Sequence, residues 1–321
     1  MTNRHNVKNG LPSHSYKQTV SAIFTLGLCG SVFLLSLLAS GKISHSVKSA
    51  LSLCANVIIP SVFPFIILSD LLYAYTDFSS MNLLTRAFER IFKINKSGLY
   101  PFVLGMLCGF PLGVKCASEL YRDGYLSRDE AERIIGFCNN TGPAFLVSGI
   151  GLGLRKSLKD GLLLYLVMVT SSIIVGMLFS IGHTKHESKN TPPAFKQFSI
   201  TCSIKNAGIN TLNICSYLTF FACIVGMTRS AIGENFIYLL LIAFLEVGSA
   251  TSILSKTKIL SPHLSLSFSA FAVGFSGMSV HLQSISFLSD TGLRVRKYFL
   301  MKLLQGLISL VLIYILYGLP I

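Results

Sequence analysis

The sequence predicts an all-α polytopic membrane protein made of two inverted repeats with broken helices and re-entrant hairpins, a transporter-like arrangement. Of the 321 residues, 51% are apolar and only 12% are charged. The apolar residues run in blocks of about 20, the length with which a helix crosses hydrocarbon. Several blocks are interrupted at corresponding places in the two halves, a pattern typical of a transporter site near the middle of the membrane.

The amino-terminal region, residues 1–50, is predicted to hold a basic tail and a first transmembrane helix over Val20–Ala39. This run is too long for a signal peptide, and Leu37-Leu38-Ala39 makes a poor cleavage site, so we expect an uncleaved span. The net charge of +14 comes mainly from Lys and Arg between apolar blocks. That distribution indicates membrane topology and argues against nucleic acid as a partner.

The first repeat is predicted over residues 51–181 and begins with an apolar block, Leu51–Tyr75, that contains Pro60 and Pro64. Proline inside a spanning helix removes a backbone donor, so both positions are expected kinks. A short amphipathic piece around Leu83–Ile91 is expected to lie on the membrane surface. The span Leu99–Tyr121 follows, and Gly109-Phe110-Pro111-Leu112-Gly113 interrupts it.

A capping box, Ser127 with Glu130, predicts the start of the next helix. That helix is expected to be a capped surface helix, and it ends at Asn139-Asn140-Thr141-Gly142-Pro143. A second short apolar run, Ala144–Leu154, comes next. Because neither piece is long enough to span, the region 127–155 is predicted to be a re-entrant hairpin. The span Leu158–Ile181 closes the repeat.

A polar connector, 182–207, is predicted to separate this unit from a second repeat over 208–321. There the elements recur in the same order. They are a span at Thr211–Thr228, a broken span at Phe236–Leu254, a re-entrant segment at 263–290 and a last span at Leu303–Tyr317.

The distribution of basic residues predicts a cytoplasmic N-terminus. Under this topology more Lys and Arg fall on the inner side, Lys302 among them, and Lys115 is left within a span. Each unit then crosses the membrane three times, so the two repeats would be inverted relative to one another.

Breaking a helix in hydrocarbon exposes N–H and C=O groups that must find partners. Polar side chains and glycines stand at these breaks, and they could bind a small polar solute or a cation, or merely pair with the broken backbone. The candidate binding residues are Asn139, Asn140, Thr141, Gly142, Glu246, Ser276, Gly277, Ser279, His281 and Gln283. The candidate hinges are Pro60, Pro64, Gly109, Pro111, Gly113 and Pro143.

Glu246 is the strongest single candidate for coupling, because it lies in the middle of an apolar block where a carboxylate needs a partner or a proton. Its alternative role is structural, as a partner of Lys115 or of a backbone end. Lys115 could instead pair with Glu119, one turn further along the helix. Asp70 and Asp290 lie near predicted span ends and are expected to be solvated or capping residues.

The sequence contains none of the catalytic or phosphate-binding motifs that would indicate an enzyme, so no catalytic activity is expected. Neither a cofactor nor a metal site is predicted. The eight cysteines form no Cys-x-x-Cys pair and are interpreted as buried, reduced side chains.

The chain resembles the YlbJ-type sporulation integral membrane proteins, which contain a nucleoside-recognition or Gate domain also found in concentrative nucleoside transporters and a ferrous-iron transporter. The resemblance rests on motifs in order along the chain. They are Ile59-Pro60-Ser61-Val62-Phe63-Pro64-Phe65, Gly109–Lys115, Ser127–Arg133, Asn139–Pro143 and Phe275–Gln283. One departure is Val247-Gly248-Ser249-Ala250 after Glu246, where the family tends to have Ile-Thr-x-Gly.

The resemblance implies a multi-pass protein of the cell membrane of a spore-forming bacterium, without fixing a substrate. The expected partners are the lipid bilayer, a small polar solute and a coupling cation of unknown identity. Formation of a homo-oligomer stays open. The predicted function is to bind or move that solute; the alternative is a structural membrane scaffold needed for spore formation.

Overall fold

The computed structural model describes residues 37, 40–75, 83–183 and 198–317, and this part of the chain is helical with no strand. The predicted first span, Val20–Ala39, lies outside the described residues apart from Leu37. The helices are α1 (Ser40–Leu53), α2 (Ile59–Tyr75), α3 (Leu83–Phe92), α4 (Leu99–Leu107), α5 (Leu112–Arg122), α6 (Arg128–Cys138), α7 (Ala144–Arg155, of π type), α8 (Leu158–Leu178), α9 (Ile200–Ile232), α10 (Phe236–Leu245), α11 (Val247–Leu254), α12 (Pro262–Phe275), α13 (Gly277–Ser286) and α14 (Arg296–Leu316).

Several of these helices are long and apolar enough to cross a membrane. Among the described residues they are α8, α9, α14 and the combined segment Pro262–Ser286. The segments Ser40–Ile58 and Val62–Tyr75 could form a fifth span, bent by 43° beside Pro60. An all-helical, multi-span membrane protein is therefore confirmed, and Pro60 lies at a bend as predicted.

Two pairs of short helices fold back on each other as hairpins. Helices α4 and α5 pack side by side, and so do α10 and α11. A Cβ added to Gly105 on α4 would lie 3.3 Å from the Cα of Gly113 on α5, so glycines allow this close approach. Gly113 is thus a packing residue of the hairpin as well as part of the predicted break.

The two segments predicted to be re-entrant hairpins have a different form. Helices α6 and α7 do not pack against each other, and each packs against α8 instead. Helices α12 and α13 likewise continue as one span candidate of 25 residues, interrupted at Ser276. The hairpins therefore lie at the first break of each half, and the second break interrupts a helix that continues onward. Ser276 and Gly277 both have left-handed backbone and interrupt the helix there, but the segment does not reverse and stays one span candidate.

Each half thus contains a hairpin, a broken helix and a long helix in the same order: α4–α5, α6–α7 and α8, then α10–α11, α12–α13 and α14. This order agrees with the predicted duplication. Inversion of the two halves, and the domain limits at 51–181, 182–207 and 208–321, stay predictions.

Helix limits differ from the predicted ones at several places. Helix α9 begins at Ile200, inside the predicted connector, because the Ser199 side chain caps it by accepting from the Cys202 amide. Helix α14 begins at Arg296 rather than Leu303, so Lys302 lies within the helix and not in a cytoplasmic segment. The prediction of buried cysteines fails at Cys202, which is exposed.

The predicted capping box opens α6 as expected. The helix is nevertheless almost wholly buried, which corrects the expectation of a surface helix. Its acidic side chains have specific partners: Glu130 accepts from the Asn95 amide at 2.7 Å, and Glu132 accepts from the Arg294 amide at 3.0 Å.

Both aspartates expected near span ends form ion pairs. Asp70 lies 2.6 Å from the amine of Lys115 and accepts a hydrogen bond from Ser203, so it ties α2 to α5 and α9 rather than facing solvent. Asp290 lies in the loop before α14, where the hydrogen bond from Arg122 lowers the pKa of its exposed carboxyl.

Candidate functional site

Three of the four helix breaks, and the helix that follows the fourth, line one cavity of about 70 Å³. The first half contributes the α4–α5 tip, Cys108–Phe110, and the α6–α7 break with Thr141 and Gly142. The second half contributes Glu246 and the first turn of α13, including Ser279. Side chains of α1, α2 and α9 close the remaining walls. The structure thus brings residues from the broken segments of both halves to one cavity.

Glycines let each hairpin tip touch the break of the helix that follows it. A Cβ added to Gly109 would lie 2.7 Å from the backbone nitrogen of Gly142. In the second half, a Cβ added to Gly277 would lie 3.2 Å from the Cα of Glu246. Both Gly109 and Gly277 have positive φ, 86° and 69°, a conformation that favours glycine.

Two hydroxyls of cavity-lining residues have no hydrogen-bond partner within the described part of the chain. They are Thr141 Oγ1 and Ser279 Oγ, on residues that are 1% and 3% exposed. Buried hydroxyls are normally paired, and leaving one unpaired costs about 1–3 kcal/mol. Gln283, also at the cavity wall, is 3% exposed.

Glu246 is at the cavity wall and caps helix α11. Its backbone is extended, and its carboxylate accepts from the amides of Gly248, at 2.7 Å, and Ser249. The amides at a helix start lack partners within the helix, so the carboxylate stabilises the hairpin at its turn. Of the roles considered for Glu246, pairing with a backbone end is the one seen in the structure.

Lys115 does not pair with Glu246. Its amine lies 3.0 Å from Glu119, as the helical spacing predicted, and 2.6 Å from Asp70. This cluster sits between α2 and α5 and does not line the cavity.

Asn139 and His281 lie behind the cavity in a buried hydrogen-bond network. Asn139 donates to Tyr298 Oη at 2.8 Å and to Ser284 Oγ at 2.9 Å. His281 Nδ1 lies 2.8 Å from the same Tyr298 Oη, while Asn139 Oδ1 and His281 Nε2 have no partner among the described residues. Tyr298 therefore joins the broken helices of the two halves.

Asn140 is tied to α8 and α14. Its amide donates to the Phe137 carbonyl at 2.6 Å and to Ser172 Oγ at 3.2 Å. Its oxygen accepts from Gln305 at 2.8 Å, and Gln305 in turn accepts from the amine of Lys302 at 2.7 Å. Asn139 and Asn140 thus pair with the broken backbone and its neighbours, and neither lines the cavity.

The remaining predicted residues lie at helix interruptions or inside a helix and do not line the cavity. Ser276 is fully buried, with its hydroxyl on the Val273 carbonyl, and the left-handed backbone at this residue makes the break. Pro111 and Pro143 immediately precede α5 and α7. Pro64 lies inside α2.

A polar stripe on α14 was missed in the sequence. The stripe consists of four buried residues, Tyr298, Lys302, Gln305 and Ser309. The first three bond Asn139 or Asn140 at the α6–α7 break, and Ser309 bonds Ser171 on α8. The spacing of the stripe residues, four, three and four, is the signal that could have revealed them, because it places all four on one helical face. Starting the last span at Leu303 hid this pattern.

The site can offer hydroxyls, an amide and helix starts to a ligand. The first turns of α7, α11 and α13 line the cavity, and helix starts favour a polar or anionic group. At α11 the Glu246 carboxylate already accepts from the Gly248 and Ser249 amides. No group of three or more His, Cys, Asp or Glu able to hold a metal occurs among the described residues. The volume is under half of the roughly 150 Å³ that accommodates benzene in an engineered cavity. In this conformation the cavity therefore fits an ion or a few waters, and a nucleoside would require opening.

No family model and no solved structure matches the chain. Over 93% of its length it is 26% identical to the sporulation integral membrane protein YlbJ of Bacillus subtilis (strain 168), of which the alignment covers 84%. This similarity supports the YlbJ-type family indicated by the sequence motifs and a multi-pass membrane location.

Proposed function

We propose that this YlbJ-type membrane protein binds a small polar solute or ion in the cavity between its broken helices and moves it across the membrane, in a role linked to sporulation. The single observation that carries the proposal is that two buried hydroxyls of one cavity, those of Thr141 and Ser279, have no hydrogen-bond partner among the described residues. One comes from each half. If the breaks served only for packing, apolar residues in place of Thr141 and Ser279 would make the protein more stable.

The hairpins and glycine contacts supply a means of movement. Short helices joined at a tip can shift as units, and the tips at Gly109 and Glu246 form part of the cavity wall. Displacing one tip would open the cavity on its own side. This is the arrangement expected of a gated site.

The test uses the full chain in proteoliposomes, with uridine, sodium ions and protons as probes. Thr141→Val and Ser279→Ala should abolish protein-dependent flux of the transported probe without lowering thermal stability. Thr170→Val is the matched control, because the Thr170 side chain is exposed and bonds only the Leu166 carbonyl of its own helix. Unchanged flux in both cavity variants would overturn the site assignment.

The runner-up is a non-transporting scaffold, and the extensive pairing of Asn139 and Asn140 with α8 and α14 favours it. A deletion strain separates the two functions. Full recovery of heat-resistant spores by the Thr141→Val and Ser279→Ala double variant would support the scaffold. Asn140→Ala is a poor probe here, because it removes several structural hydrogen bonds at once.

A further inference from the structure

Lys302 is a buried amine with no carboxylate partner within the described residues. It lies in the membrane-span candidate α14 and is 0% exposed. Its Nζ donates to the Asn139 backbone carbonyl and to Gln305 Oε1, both at 2.7 Å. An ammonium inside a membrane costs several kcal/mol unless it is compensated, so such residues mark functional positions.

The two acceptors form a position suited to a cation. Asn139 is the residue at the carboxyl end of α6, where the helix dipole places partial negative charge. Gln305 also donates to Asn140, so α14 holds two consecutive residues of the break. The next two residues, Thr141 and Gly142, line the cavity. The amine therefore fixes the chain immediately before the cavity wall.

Protonation decides whether this arrangement is stable. The ammonium has three donors for the surrounding oxygens. Loss of one proton to the aqueous phase leaves a neutral amine with two donors, enough for both acceptors, but without the positive charge. The hydrogen bond to the Asn139 carbonyl would then lose its charge assistance and its attraction to the carboxyl end of α6, so the break would be held more weakly.

Helices α6, α8, α12 and α13 and α14 itself surround the Lys302 amine, and they carry few titratable groups near it. Cys138 on α6, Tyr298 on α14 and His281 on α13 are the titratable groups nearest to it. Helix α8 presents Ser171 and Ser172 at this level, and α12 carries a single titratable residue, His263, which bonds Tyr314 at the other end of α14. The acidic side chains of these helices lie at the ends away from Lys302 and have other partners; they are Asp129, Glu130 and Glu132 on α6 and Asp160 on α8. Among the described residues no carboxylate pairs with the Lys302 amine.

We propose that Lys302 is the proton-binding residue of the protein, and that its ammonium locks the 139–143 break while its neutral amine releases it. The cavity wall at Thr141 would then respond to the proton occupancy of Lys302. The link to solute movement rests on the proposed function. The locking of the break does not, and it is tested without any solute.

The experiment is hydrogen–deuterium exchange of the full chain in lipid nanodiscs across a range of pH, corrected for intrinsic exchange rates. For wild type, protection of peptides covering 139–146 should fall about tenfold in a single step as pH rises, within about pH 5–10. Lys302→Met should show low protection throughout. Lys302→Arg, which stays charged, should show high protection throughout.

Further variants distinguish the effect of the Lys302 charge from an effect of misfolding. Gln305→Glu places a carboxylate beside the amine and should move the step upward by about one pH unit or more, because an opposite charge favours the protonated form. Lys297→Met, on the same helix, removes an amine that pairs with Asp129 at the partly exposed end and should leave the step unchanged. Peptides from α8 report global unfolding.

The proposal is overturned if the step is missing in wild type, or if it persists in Lys302→Met or Lys302→Arg. If Lys302→Met unfolds, Lys302→Arg and Gln305→Glu decide the question. If the pH step in protection behaves as expected but the protein moves no probe, the lock is retained and the transport function is rejected. If the protein moves a probe but shows no step, the transport function is retained and the lock is rejected.

Discussion

The backbone of Gly109 lies so close to Gly142 that a Cβ on Gly109 would approach the Gly142 nitrogen to 2.7 Å. This contact joins the first hairpin tip to the first broken helix, and Gly277 with Glu246 repeats the relationship in the second half. Each contact holds the two breaks of one half together beside the cavity. The contacts also make the cavity sensitive to single methyl groups.

Gly109→Ala should lower the midpoint of thermal unfolding and abolish function, because the methyl group meets the Gly142 backbone and the backbone has φ of 86°. Gly124→Ala is a matched control: Gly124 has φ of 78° but no atom near the added Cβ. Both variants pay about 1–2 kcal/mol for the left-handed backbone. Equal losses of stability would show that the tip contact contributes nothing.

A larger side chain in the α4–α5 hairpin should also destabilise the protein. Gly105→Ala would put a methyl group 1.7 Å from the Cys138 carbonyl oxygen, a rigid neighbour, so we expect a loss of about 3 kcal/mol or more. Gly208→Ala on α9 meets nothing within 4 Å and should change little. Thermal unfolding in detergent measures both, and a well-folded Gly105→Ala protein would contradict the observed packing.

Replacing the unpaired hydroxyls should separate stability from function. Thr141→Val and Ser279→Ala each remove a buried group without a partner among the described residues, so the free energy of unfolding should stay constant or rise by about 1 kcal/mol. Ser309→Ala is the contrast, because its hydroxyl donates to Ser171 at 2.8 Å and its loss should destabilise. Cavity variants that lose stability as Ser309→Ala does would indicate an ordinary structural role.

Glu246 combines a cap with a charge, and two substitutions distinguish them. Glu246→Ala should lower stability by about 1–2 kcal/mol through loss of the cap on α11. Glu246→Asn offers a neutral cap, so it should recover most of the stability but not the flux or the spore yield. Recovery of function by Glu246→Asn would show that the carboxylate serves only as a cap.

The sequence predicted the helix breaks well because Gly, Pro and polar residues rarely interrupt a long apolar block unless the helix itself is broken there. It placed Thr141, Gly142, Glu246, Ser279 and Gln283 at one site, and all five line the cavity.

The sequence could not show at which of the breaks the chain reverses direction. That depends on close approaches such as Gly105 to Gly113, which involve residues of two different helices. It also missed Lys302, because a lysine at the edge of an apolar block resembles a residue that flanks the membrane. Only the packing of α14 against the α6 break shows the amine to be buried.

The most direct test of the shared cavity is to count adducts on cysteine variants. Thr141→Cys and Ser279→Cys, each in a chain lacking native cysteines, should take one aminoethyl methanethiosulfonate adduct when the protein is active. Because both residues line one cavity of about 70 Å³, the double variant should take only one adduct per chain by intact mass. Two adducts per chain would contradict the account.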